Sequence, residues 1–178
     1  MRQIYILFIL FFLVVLEGVS QDFLPESIIS SDIMIVPHWI FVFLVLVSTF
    51  YDENSSYFSV ILAIIFGLLI DIVYTDILGV YMIAYTITLF VHQKIARLFQ
   101  SNFFMTFLFT LISILIADHI IYFLYLTIGK ISLSWSDYSL LRLLPTIGAN
   151  LLFLIITYPI SKNRLLAWSG KDEQSTLY

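Results

Sequence analysis

Six side chains in this sequence could do chemistry inside an apolar surrounding: Glu17, Asp71, Asp118, His119, Arg142 and Asn150. Asp71 stands in GLLIDIVYTDILG, residues 67 to 79, and Asp118 in ILIADHIIY, residues 114 to 122. Two carboxylates on separate apolar segments could activate a water for hydrolysis. Neither, however, sits in the YD or GxGD context of the intramembrane aspartyl proteases. His38, His92 and His119 lack HxxxH-like spacing, and zinc or iron needs clustered donors, so no metal is expected. No nucleophile–base pair and no phosphate loop is present either, which leaves no catalytic residue and no cofactor to assign. What remains is ion pairing. Gly67, Asp71, Tyr74 and Thr75 recur at i, i+4, i+7 and i+8, and so do Arg142, Thr146, Ala149 and Asn150, two complementary stripes on two helices. A charge near the bilayer centre costs about 2.5–3.5 kcal/mol, so Asp71 must face the bundle and find a partner, for which Arg142 is the candidate. Such a pair either fixes helix register or lines a site.

The elements that hold these groups follow from composition. Of 178 residues 61% are hydrophobic and 11% charged, with a mean hydropathy of +1.04. Soluble domains are only about 45–50% apolar. The chain is therefore expected to be an all-α integral membrane protein, a single polytopic domain over 1–178. Six spans are read at about 3–19, 36–51, 57–75, 77–93, 102–128 and 140–161. Helices are required because lipid-exposed backbone must satisfy its own hydrogen bonds, and no barrel-like alternation appears. Polar, turn-rich separators such as YDENSS and GKISLSWSD divide the spans. Pro37 suits the first turn of the second helix. Pro145 should bend the sixth and free the carbonyl of Leu141.

Arg2, Lys94, Arg97, Lys162, Arg164 and Lys171 fall on one side of this arrangement, Lys130 and Arg142 on the other. The positive-inside rule then puts both termini in the cytoplasm. Gly18-Val19-Ser20 resembles a leader cleavage site, but Glu17 before it and the thin positive start argue for a retained first span. The ionisable groups gather toward the outer face. Glu17 ends the first span, His38 opens the second and Arg142 the sixth, while Asp71 lies about 6 Å below the outer end of the third. The inner half offers almost nothing of this kind, which disfavours an ion path. His38 and His92 are expected at interfaces, and Gly67 is expected to let a neighbouring helix approach. With no cysteine, disulfides and thiolate sites are excluded. No basic run suggests nucleic acid.

Three stretches carry a resemblance: IVPHW at 35–39, FGLLIDIVYTDILGVYM at 66–82 and LLRLLPTIGAN at 140–150. Together they resemble the MreD family, the small membrane subunit of the bacterial rod-shape machinery, particularly its Gram-positive form. The matching positions are Pro37, His38, Gly67, Asp71, Tyr74, Thr75, Gly79, Tyr81, Arg142, Pro145 and Asn150. The resemblance implies a non-enzymatic scaffold in the cytoplasmic membrane, working with MreC, MreB, RodA and its partner transpeptidase in lateral peptidoglycan synthesis. It also implies a fold similar to the substrate-binding subunits of energy-coupling-factor transporters. Contact with MreC is expected on the outer half, through the face around Gly67 and Gly79 or through the outer loops. A second function is a small-molecule-binding transporter subunit, its ligand met from outside by Arg142, Asp71, His119 and Asn150.

Overall fold

The apolar runs are helices wherever the computed structural model describes the chain, residues 2–20, 32–52, 56–99 and 102–169. They are α1 (Arg2–Val19), α2 (Trp39–Phe50), α3 (Phe58–Tyr74), α4 (Val80–Ala96), α5 (Phe103–Thr127) and α6 (Trp135–Ser169). No strand occurs among the described residues. Helices α1, α5 and α6 are each long and apolar enough to cross a bilayer. The chain is a membrane helical bundle.

Helix α2 forms its centre. Ten of its 12 residues are buried, from Ile40 to Phe50, and it packs against α1, α3, α4, α5 and α6. A helix apolar on every face belongs inside a bundle rather than on its surface. At 12 residues it is only about 18 Å long, because the chain enters the bundle extended. Residues 33–38 lie along α6 and pair with it like a strand edge. Met34 N–H donates to Leu141 O (2.8 Å), Val36 N–H to Thr146 Oγ1 (3.1 Å) and His38 N–H to Asn150 Oδ1 (2.7 Å), while Asn150 Nδ2 donates to Val36 O (2.9 Å). Non-helical backbone at membrane depth is tolerated only where protein satisfies it, and here α6 does so.

This docking moves Pro37. It lies in the extended segment and not in the first turn of α2, whose N-cap is His38. The physical reason is that proline holds the residue before it extended, and the amide of Val36 is already committed to α6. Pro145 acts as its chemistry requires. Lacking an N–H, it cannot bond the carbonyl of Leu141, and that carbonyl accepts from Met34 instead. One turn earlier α6 contains a π-helical stretch, Tyr138–Leu143.

Gly67 sets the contact between α3 and α4. A Cβ there would meet Met82 Cα at 2.7 Å and Tyr81 O at 3.0 Å. The close approach expected at Gly67 is thus made by this chain's own α4, which leaves no room for a partner helix at that face. Gly79, with φ of +100°, makes the turn that starts α4.

Basic residues collect at one end. Arg2 Nη1 donates to Trp168 O (3.1 Å), Arg97 Nη2 to Ser56 O (3.1 Å) and Lys94 Nζ to the Tyr57 hydroxyl (3.2 Å), and Lys162 lies over the rings of Phe50 and Tyr158. Lys130 and Arg142 are at the opposite end, near Asp76 and Asp118.

Candidate functional site

Most of the buried carboxylates are spent on backbone. The first N–H groups of a helix have no acceptor within it, and where they are buried the acceptor must come from elsewhere in the protein. Asp71 supplies three such bonds: its carboxylate accepts from the N–H groups of Gly79 (2.8 Å), Tyr81 (2.9 Å) and Met82 (3.1 Å), at the start of α4. Glu17, at the end of α1, accepts from Ile40 N–H (2.8 Å) at the start of α2. Asp52 accepts from Ser59 N–H (3.2 Å) in the first turn of α3, and from Gln93 Nε2 (2.8 Å). A carboxylate also complements the positive end of the helix dipole.

The expected Asp71–Arg142 pair is therefore replaced. Asp71 is fully buried and bonded three times at the start of α4, and the guanidinium of Arg142 turns to Asp118 instead. A carboxylate three residues from the end of its own helix, followed by a tight turn, lies within reach of the next helix start. No side chain on another helix needs to move to satisfy it.

Asp118 is the carboxylate that joins side chains. It is completely buried in the middle of α5. Its Oδ1 accepts from Arg142 Nη2 at 3.2 Å, its Oδ2 from the Tyr138 hydroxyl at 2.9 Å. His38 Nε2 reaches Oδ1 at 3.4 Å, and His38 Nδ1 lies 2.8 Å from the hydroxyl of Tyr85. An ionised carboxylate only accepts, so Nε2 carries the hydrogen. The π-helical stretch separates Tyr138 from Arg142 by four residues in a widened turn, and both reach one acceptor. One carboxylate on α5 thus ties together α6, the start of α2 and, through His38, α4.

Other expected members fall outside this network. His119 turns away, its Nδ1 bonded to Leu115 O (2.7 Å) and its ring against Trp135 and Tyr138. Asn150 holds the extended segment, and Thr75 caps the end of α3 by donating to Asp71 O (3.0 Å). The Tyr74 hydroxyl donates to Val14 O (2.6 Å), tying α3 to α1. Tyr81 packs against the rings of His38 and Tyr85. Tyr85 and Tyr138 were not singled out from the sequence. Tyr138 could have been, since it precedes Arg142 by one helical turn; nothing local distinguishes Tyr85 from the chain's other tyrosines.

The histidines expected at interfaces are buried, His38 completely and His92 nearly so. His92 contacts Ser113 (3.1 Å) and Thr49 (3.2 Å), and with Asp52, Ser59 and Gln93 it gives the half nearer the basic end a polar interior that the sequence reading left nearly empty. Among the described residues no group of three or more His, Cys, Asp or Glu could hold a metal ion.

At the end opposite the basic residues, a cavity of about 350 Å³ opens over Arg142, lined also by Tyr74, Tyr81, Tyr125 and Lys130. Of the four residues expected to meet a ligand, Arg142 alone lines it. The others are occupied elsewhere.

The three stretches that carried the resemblance converge here. IVPHW provides the extended segment and His38, FGLLIDIVYTDILGVYM the locked α3–α4 hairpin, and LLRLLPTIGAN the side chains of α6 that receive both Asp118 and the segment. The chain is 24% identical over 174 residues to the rod shape-determining protein MreD of Bacillus subtilis, covering 97% of this chain and 98% of that protein. No solved structure matches it, so the likeness to energy-coupling-factor subunits rests on the resemblance alone. The family model described as rod shape-determining protein MreD matches residues 1–165, and the chain belongs to that family.

Proposed function

We propose that this protein is a non-enzymatic scaffold of the bacterial elongation complex, which binds MreC and with MreB, RodA and RodA's transpeptidase directs lateral peptidoglycan synthesis. The family match over residues 1–165 carries this reading. Its chemistry agrees: the buried carboxylates at the outer end are engaged in holding helices and chain segments in place, as a scaffold requires. Six spans with both termini cytoplasmic complete the reading, supported by the basic groups collected at one end.

Contact with MreC is assigned to the outer end and its loops, because the Gly67 face is filled by α4. Around that end Leu78, Ile128, Trp135 and Leu140 are each more than half exposed. Affinity purification from membranes of a rod-shaped host should recover MreC and RodA with the chain, and depletion should round the cells. Unchanged cell width together with normal MreC placement after depletion would refute the proposal. Recovery of an ATPase module in place of MreC would point to the transporter function.

A further inference from the structure

A slot of about 320 Å³ runs between α1 and α6, with Phe43 of α2 as its floor. It exists because α1 leans on α2 and α3 and meets α6 at the basic end, where Arg2 bonds Trp168 O and the rings of Tyr5 and Trp168 stack at 5.6 Å. Phe12 and Leu13 form one wall, Phe153 and Ile160 the other. Thr157 also lines the slot, but its hydroxyl is bonded to Phe153 O (2.7 Å) and makes no demand on an occupant. Near the basic end the lining includes Arg164, an exposed side chain with no hydrogen bond or ion pair among the described residues.

We propose that this slot seats one acyl chain of an anionic phospholipid, with the lipid phosphate on Arg164. Length supports it. From Phe153 to Arg164 is a rise of about 16 Å along α6, and one leaflet is half of a hydrocarbon core about 30 Å thick. A chain that fills the slot therefore brings its headgroup level with the guanidinium. Trp168, one turn further, stands where interfacial tryptophans gather. The lining favours a lipid tail over a protein helix: the walls are aromatic and aliphatic, whereas helices that pack closely in membranes meet at glycine, alanine and serine.

The test uses the full chain released from nanodiscs of equal parts palmitoyl-oleoyl phosphatidylglycerol and phosphatidylethanolamine, with retained lipid counted by native mass spectrometry. One phosphatidylglycerol should remain bound, several-fold in excess over phosphatidylethanolamine. Arg164→Gln, at an exposed position, should bring the two lipids to parity. Thr157→Phe should expel both while the helical circular dichroism stays unchanged. Equal retention by the unaltered chain, or an undiminished preference in Arg164→Gln, would overturn the proposal. So would a Thr157→Phe protein that keeps its lipid and loses a copurifying partner protein, since the slot would then belong to that partner. If Thr157→Phe does not fold, the Arg164→Gln comparison decides alone.

Discussion

Asp71 and Asp118 are both completely buried carboxylates, yet their roles differ, and substitution should separate them. Asp71 serves three backbone donors. Asp71→Ala leaves each without an acceptor, at about 1–3 kcal/mol apiece, and Asp71→Asn, which keeps one acceptor oxygen, should fall between it and the native chain in thermal unfolding in detergent. Asp118→Asn and Arg142→Gln should each cost about 3–5 kcal/mol, because each leaves a partner buried and uncompensated. The double variant should recover part of that loss. In the same assay, the Asp71→Asn and Arg142→Gln pair should show the weaker coupling; a stronger coupling than in the Asp118 pair would contradict the assignment of Arg142 to Asp118.

For the elements, the decisive contacts are between backbones. Gly67→Leu must push α4 away from α3, since even a Cβ meets Met82 Cα at 2.7 Å. Membrane insertion should survive, as leucine favours it, while the thermal midpoint falls by several degrees and partner recovery falls only in proportion to folded protein. A selective loss of MreC with unchanged thermal stability would instead make Gly67 a docking residue. The extended segment offers a second test. Pro145→Ala restores an N–H that competes with Met34 for Leu141 O. Hydrogen exchange at the Met34 amide should speed up by an order of magnitude or more, which corresponds to about 1.4 kcal/mol of lost local protection. Unchanged exchange there would show that Leu141 O is not what holds the segment.

Across the whole molecule, the proposed orientation rests on charge. Arg2, Lys94, Arg97 and Lys162 share one end in the fold, and the positive-inside rule predicts that this end faces the cytoplasm. Single cysteines at Ser27 and Ser134 should react with an impermeant thiol reagent in intact cells, and one at Ser175 should not; the chain has no native cysteine to interfere. Labelling at Ser175 alone would invert the topology. Ser27 and Ser175 lie outside the described residues, so for these two positions the expectation rests on the charge pattern.

Hydropathy was enough to determine a helical membrane protein, because it is a property of neighbours along the chain, and the family followed from the resemblance of three short stretches. The freed carbonyl of Leu141 was legible too, since proline's missing donor is local chemistry. Which polar groups meet was not. That depends on how helices rotate and where they begin: Asp71 is answered by the start of α4 and not by the cation on α6, Pro37 falls in a segment that α6 holds extended, and Asp118 gathers His38 from 80 residues away and Tyr138 and Arg142 from 20 and 24. A search for opposite charges overlooks backbone N–H groups as partners. Where a helix start is buried, its N–H groups compete with a guanidinium for the carboxylate, and only the packed bundle decides which of them it receives.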